Sequence, residues 1–237
     1  MPVDTTYRSN APEIMDDFAM EGEILRDALD KIASINQLLG GNKVTLDGVK
    51  KLTGSKPKDE LIRITDIGCG NGDMLRTLAG YAKRKGLNFI LKGIDANRFT
   101  IDHAKSLSGN YPNITYDCSD IFEDLGKDEP CDIMLCTLTL HHFKDEEIIA
   151  LLENFKRSAR LGIVINDLQR SALAYRLFKA LCYVFRLNDM SREDGLVSIL
   201  RGFKRADLVK YAKQLHLKSG SIKWKWAFRY QWIIKTI

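Results

Sequence analysis

Ile64-Thr65-Asp66-Ile67-Gly68-Cys69-Gly70-Asn71-Gly72-Asp73-Met74-Leu75 is the stretch that decides the fold. An apolar strand runs into three alternating glycines and then into a helix-forming segment. The backbone can turn sharply there, and a ligand can approach without meeting a Cβ. Placed after the first strand of a sheet, such a turn is a nucleotide-cofactor loop. A dinucleotide loop would carry Gly or Ala where this chain has Asp73, and a phosphate loop would need Gly-Lys-Ser/Thr. Asp66, beneath the turn, would repel an exposed pyrophosphate and suits a cofactor with a cationic end.

Outward from the loop, short apolar runs alternate with amphipathic segments of helix length. Ile62 to Ile67 is followed by Asn71 to Lys85, Asn88 to Ile94 by Arg98 to Leu107, and Ile114 to Cys118 by Asp120 to Leu125. Cys131 to Cys136 precedes Asp145 to Ser158, and Ile163 to Ile165 precedes the helical stretch Leu173 to Phe185. This order implies a parallel sheet wrapped by helices on both faces and excludes sandwiches and bundles. After a helix from Arg205 to Leu215, Leu217 to Trp226 and Ala227 to Ile237 lie too close for a parallel crossover and must pair as an antiparallel hairpin. Seven strands result. Upstream, Glu13 to Leu39 has helical periodicity that Gly40-Gly41 stops, and Val44 to Leu52 reads as a further short helix. Residues 1–57 are expected as an N-terminal helical appendage forming part of the substrate pocket, and residues 58–237 as the α/β domain, with a lid insertion at about 168–203.

Two further acids follow strand ends, where open α/β sheets bind ligands. Asp95, in Gly93-Ile94-Asp95-Ala96-Asn97, can accept both ribose hydroxyls of an adenosine or can serve as a helix N-cap. Asp120, in Cys118-Ser119-Asp120-Ile121-Phe122, can bond an adenine amino group while Ile121 and Phe122 pack on the ring, or can cap the next turn.

These motifs, with the closing hairpin, resemble class I S-adenosylmethionine-dependent methyltransferases, particularly the branch that includes the ubiquinone and menaquinone biosynthesis enzymes. The resemblance covers roughly Arg63 to Val164 by motif and extends to the end by element order. It implies a Rossmann-like doubly wound α/β fold with a seven-stranded, mostly parallel sheet. It also implies S-adenosyl-L-methionine as cofactor and S-adenosyl-L-homocysteine as product. On this resemblance Asp66, Gly68, Cys69, Gly70 and Gly72 surround the amino acid end, Asp95 and Ala96 the ribose, and Asp120 with Ile121 the adenine. Cys131 to Phe143, with its paired His141 and His142, resembles the family's fourth motif, which places Thr137 and Leu138 beside the sulfonium.

Methyl transfer needs an aligned, dry nucleophile rather than a covalent residue. For a phenolic or enolic acceptor a base helps, and His142, His141 or Asp167 can serve; either histidine can instead cap the next helix or pack under the cofactor. Base-amine methylation would show Asn/Asp-Pro-Pro-Tyr/Phe where this chain reads Cys136-Thr137-Leu138-Thr139, and cytosine methylation a Pro-Cys pair. No metal site is expected: cysteine and histidine spacing offers none, and the strand-four carboxylate of metal-assisted catechol methylation is missing. Ala172 to Leu187 is apolar nearly all round, interrupted by Arg176 and Lys179. It reads as a lid for a hydrophobic or aromatic, phenolic or quinol-like metabolite, with Ser191-Arg192-Glu193-Asp194-Gly195 either closing over the pocket or forming a surface turn.

Composition agrees with a globular chain: 45% hydrophobic and 28% charged residues among 237. The residues from Met1 to Met20 include four acids and no apolar segment, so no secretory signal or presequence is expected. The five scattered cysteines fit reduced, buried thiols and a cytoplasmic location. The net charge of +5 is concentrated at the end, with ten Lys or Arg and one acid from Arg201 onward. That face, with Trp224, Trp226, Phe228 and Tyr230, supports an alternative RNA-directed methyltransferase, or is simply solvated. A non-catalytic cofactor-binding scaffold is a third reading. A small, apolar substrate with peripheral membrane contact through that substrate is the expected partner; nucleic acid is not.

Overall fold

Seven strands make one sheet in the order β3-β2-β1-β4-β5-β7-β6. The structure, a computed structural model, describes residues 3–122 and 131–236. The strands are β1 (Leu61–Ile67), β2 (Asn88–Asp95), β3 (Ile114–Cys118), β4 (Cys131–Thr137), β5 (Ala159–Leu168), β6 (Gly220–Lys225) and β7 (Arg229–Lys235). β1 to β5 pair in parallel, whereas β7 runs antiparallel to both β5 and β6. Chain order reverses between β1 and β4, and the carboxyl ends of these strands open the crevice where such sheets take ligands.

The helices among the described residues are α1 (Glu23–Leu38), α2 (Gly41–Thr53), α3 (Asp73–Lys85), α4 (Arg98–Leu107), α5 (Asp145–Ser158), α6 (Ala172–Val184), α7 (Asp189–Arg201) and α8 (Arg205–Gln214). Side chains alternate across the sheet as the pleat requires. Ile133 and Leu135 of β4 pack with Leu75 and Leu78 of α3 and Ile101 of α4, while Met134 and Cys136 pack with Leu151 and Phe155 of α5 and Leu208 of α8. Val49 and Leu52 of α2 belong to the first of these cores, so α2 is part of the helical layer on that face. Four cysteines are buried and Cys118 is half-buried. Among the described residues no helix is long and apolar enough to cross a membrane.

Several elements depart from the sequence expectation. The run from Glu13 to Leu39 is not one helix: a single 3-10 turn, Ile14–Asp16, is separated from α1. The amides of Ile14 and Met15 donate to the Asp194 carboxylate at 2.7 and 2.9 Å, and Gly22 takes φ 98°, outside helical space. Gly40 ends α1 as expected, but its φ of 76° lets α2 begin at once, at Gly41. The Ser191–Gly195 run reaches the cavity, which Ser191 and Gly195 line, as part of a helix rather than as a loop or surface turn. It lies within α7, and Arg192 pairs with Asp189 one turn away instead of entering the cavity. Of the helix expected from Asp120 to Leu125, Ile121 and Phe122 form a turn, and residues 123–125 lie outside the described residues.

Candidate active site

The glycine turn is drawn tight by neighbours on both sides. Gly68, Gly70 and Gly72 all have positive φ, at 65°, 51° and 76°. A Cβ on Gly68 would lie 2.3 Å from Thr139 Cγ2, and one on Gly72 would lie 2.0 Å from the Tyr116 hydroxyl. A Cβ on Gly70 would meet only Leu29 Cδ2, at 3.9 Å. Gly68 and Gly70 line a large cavity and Gly72 does not, so Gly72, expected among the cofactor contacts, is instead required by the packing of Tyr116 beneath the turn.

Around the cavity of about 1770 Å³ stand Asp66, Cys69, Asp95, Ala96, Asp120, Ile121, Thr137 and Leu138. Its size exceeds the several hundred cubic ångströms of an ordinary small-molecule pocket, leaving room for two ligands side by side. Asp66 is buried, and its Oδ1 has no hydrogen-bond partner among the described residues. Burial, with Asp73 and Asp95 adding like charge, pushes its carboxyl well above the usual range. A cation would relieve both problems.

Asp95 does not cap α4; Asn97 does, accepting from the Thr100 amide at 2.8 Å. The Asp95 oxygens accept from the amides of Gly70 and Asn97, both at 3.1 Å, so β2 and the glycine turn fix the carboxylate and leave it lone pairs toward the cavity. Burial raises its pKa, and those two amides oppose the rise. Asp120 faces the cavity while its Oδ1 caps the following turn, accepting from the Phe122 amide at 2.9 Å. The turn cap read from the sequence thus leaves the carboxylate at the cavity. Leu138 is held at φ 55°, with its amide donating to the Asn166 carbonyl at 2.9 Å. A non-glycine residue in that conformation marks a constrained place beside the cavity.

Beyond Thr139 the chain makes a 3-10 turn, Leu140–His142, that brings the two histidines together, ring centroids 4.3 Å apart. His141 is buried and its Nδ1 lies 2.7 Å from Asp167 Oδ1, while its amide donates to Asp167 Oδ2 at 3.1 Å. Burial would raise the Asp167 carboxyl, but His141 outweighs it and holds the carboxyl below its usual range. Asp167, expected as a candidate base, does not line the cavity; its oxygens are occupied in positioning His141. His142 is half-buried at the cavity, with Nδ1 2.7 Å from Asp16 Oδ1.

Sequence reasoning did not anticipate Glu13, Asp16, Ser198 or Arg201 at this place, and placed Asp194 near the pocket only as part of the Ser191–Gly195 run. Glu13 Oε2 accepts from Ser198 Oγ at 2.7 Å, Asp16 Oδ2 accepts from Arg201 Nη1 at 2.6 Å, and Arg201 also donates to the carbonyls of His141 and His142. The far wall is apolar, from Leu29 and Ile32 of α1, Leu177, Phe178 and Leu181 of α6, and Phe228 before β7. Only one face of α6 serves it, since Leu173, Tyr183 and Val184 are exposed.

A mostly parallel sheet closed by an antiparallel hairpin, with a glycine turn after β1 and acids at three successive strand ends facing one cavity, is the Rossmann-like doubly wound fold with its ligand crevice at the carboxyl ends of the strands. Residues 64–162 match the family described as "Methyltransferase domain". Carboxy-S-adenosyl-L-methionine synthase of Psychrobacter arcticus is 36% identical over 109 residues, which are 44% of this chain and 39% of that protein. The chain thus spans about two fifths of that curated relative's length. The plantazolicin methyltransferase BpumL, solved with S-adenosylhomocysteine, superposes with a TM-score of 0.65 at 17% identity, covering 87% of this chain and 88% of that one. Magnesium protoporphyrin IX methyltransferase of Synechocystis PCC 6803, solved with S-adenosylmethionine, gives a TM-score of 0.56 at 14% identity, with 93% and 88% covered. The CurJ carbon methyltransferase gives 0.60 at 13% identity, with 81% and 54% covered. At these identities the likeness is one of fold.

Proposed function

We propose that this chain binds S-adenosylmethionine across Asp66, Gly68 to Gly70, Asp95 and Asp120 and transfers its methyl group to oxygen or carbon of a hydrophobic or aromatic small molecule. The observation that carries this reading is that Asp66, whose buried Oδ1 has no hydrogen-bond partner among the described residues, lines the same cavity as Gly70 and Asp95. A carboxylate so placed suits an ammonium group, and a second carboxylate at the end of β2 suits vicinal hydroxyls.

When bound, the cofactor supplies a methyl group on a sulfonium, ready for in-line displacement. The chain's task is to position and desolvate. Thr137 and Leu138 hold the backbone of the β4 end against the cavity, and the apolar wall of α1 and α6 excludes water from the acceptor. The proton released by a phenolic or enolic acceptor leaves at the polar group of Glu13, His141 and His142, where Asp167 and Asp16 fix both imidazoles through Nδ1. A small molecule is favoured over RNA as acceptor because Trp226 and Phe228 line this cavity and Tyr230 is buried. The buried thiols support a reducing, cytoplasmic setting.

Calorimetry tests the cofactor. The wild type is expected to bind S-adenosylhomocysteine and not NAD, and Asp95→Ala to bind it at least about tenfold more weakly, the scale of two lost charge-assisted hydrogen bonds. Tight NAD binding without S-adenosylhomocysteine binding, or an unchanged Asp95→Ala affinity, would sink the reading.

A further inference from the structure

We infer that Glu13, His141 and His142 form a binding site for a divalent transition-metal ion in the wall of the cavity. One ligand atom from each residue lies within 4.8 Å of the others. The spacing of cysteines and histidines gave no hint of it, because the third ligand arrives from the far N-terminal segment.

Three observations point to an ion. The first is the direction of the imidazoles. Each Nδ1 is 2.7 Å from a carboxylate oxygen, of Asp167 for His141 and of Asp16 for His142. A neutral imidazole that donates through Nδ1 presents a lone pair at Nε2. Carboxylates behind the second ring nitrogen are the usual outer partners of metal-bound histidines, and here both histidines have one.

The second observation is that the acceptor atoms converge on one another. His141 Nε2 and Glu13 Oε1 are both buried, and neither has a hydrogen-bond partner among the described residues. They are 3.7 Å apart, and His142 Nε2 is 3.9 Å from Glu13 Oε2. Zinc-type bonds of about 2.0–2.2 Å place neighbouring ligand atoms roughly 3.0–3.5 Å apart, so the three groups, within 4.8 Å of one another, would draw together by up to about 1.5 Å around an ion. The third is charge. Four carboxylates, those of Glu13, Asp16, Asp167 and Asp194, crowd the two rings. Arg201 answers one of these charges, from 2.6 Å on Asp16 and 3.6 Å on Glu13, and Arg8 is already paired with Asp145.

Two histidines and one carboxylate suit zinc, or ferrous iron, better than magnesium or calcium, and three protein ligands leave a position open to water or substrate. Ion binding does not depend on methyl transfer, but an ion in place would occupy the lone pairs proposed above to take the acceptor's proton, which would then leave to solvent from an oxygen made more acidic by the ion. Only the assignment of the open position to the acceptor's oxygen rests on that reading.

The test is titration of the chelator-treated full chain with Zn²⁺ and Co²⁺, with S-adenosylhomocysteine binding measured on the same sample. One ion per chain is expected at micromolar protein, with a visible Co²⁺ absorption band. Glu13→Gln and His142→Gln should each abolish the band, and Asp16→Asn, which removes a positioning carboxylate, should weaken uptake by about tenfold or more. The inference is overturned if folded wild type, still binding S-adenosylhomocysteine, takes up no stoichiometric ion. It is equally overturned if uptake is unchanged in both Glu13→Gln and His142→Gln. Ion uptake that persists without any S-adenosylhomocysteine binding would uphold the metal site and remove the cofactor reading.

Discussion

Asp66 carries a conflict: it is a cavity-lining carboxyl that burial and like-charged neighbours push toward its neutral form, with one buried oxygen unpartnered among the described residues. A protein selected for stability alone would not keep it. Asp66→Asn removes the buried charge and keeps the shape, so the ligand-free protein should melt at a higher temperature. S-adenosylhomocysteine affinity should fall by about tenfold or more, because an amide cannot answer an ammonium group as a carboxylate does. Thermal denaturation and calorimetry on the same variant check both halves, and a variant that loses stability without losing affinity contradicts the proposed role. Asp66, Gly68, Gly70 and Asp95 were legible in the sequence because each is defined by a strand end and its next few residues. Glu13 and Asp16 were not, since nothing local distinguishes them from surface acids. Gly72 was legible as a glycine but not for its reason, a tyrosine hydroxyl from another strand.

At the scale of elements, α2 shows how closely the N-terminal helices are tied to the sheet. A Cβ on Gly48 would lie 2.4 Å from Val164 Cγ1 of β5, a stiff β-branched side chain with little freedom to withdraw. Gly48→Ala should therefore destabilise the protein by about 1–3 kcal/mol, despite the better helix propensity of alanine. Denaturant unfolding measures it, and a neutral or stabilising result would mean that α2 shifts freely on the sheet. The helix and strand order was readable from periodicity, and the regular elements α4, β3 and α5 have the bounds their sequences suggest. Periodicity failed where tertiary contacts redirect the backbone: at Ile14 and Met15, whose amides turn to Asp194, and at Ser191–Gly195, where a turn-like Asp-Gly lies inside α7. There Phe178 closes over Gly195, its Cζ 2.4 Å from where a Cβ would stand.

Across the whole molecule, Arg8 gathers segments that are remote in sequence. Its guanidinium donates to Asp145 Oδ1 at 3.0 Å and to the carbonyls of His141 and Phe143 at 3.0 and 2.9 Å, and Tyr211 of α8 donates to Asp145 at 2.7 Å. Burial would raise the Asp145 carboxyl, but hydrogen bonds from Tyr211, Lys210 and Arg8 together prevail and hold it below its ordinary value. A carboxyl with a depressed folded pKa contributes stability that is complete above its unfolded value, about 3.9, and is lost as pH falls through the folded value. Melting temperature should therefore decline more steeply below about pH 4 in wild type than in Asp145→Asn. Identical acid limbs would show that Asp145 contributes nothing there.

The N-terminal turn also sets an order on the making of the protein. Glu13 and Asp16 are synthesised well before the groups that hold them, Ser198 and Arg201, which come 185 residues later. At about 5–20 residues per second, a nascent chain waits roughly ten to forty seconds before that corner of the cavity can close. The glycine turn, β1 and β2 can meet well before then. Ribosome-bound chains ending short of residue 194 would already present the glycine-turn end of the cavity while still lacking the corner that holds Glu13 and Asp16.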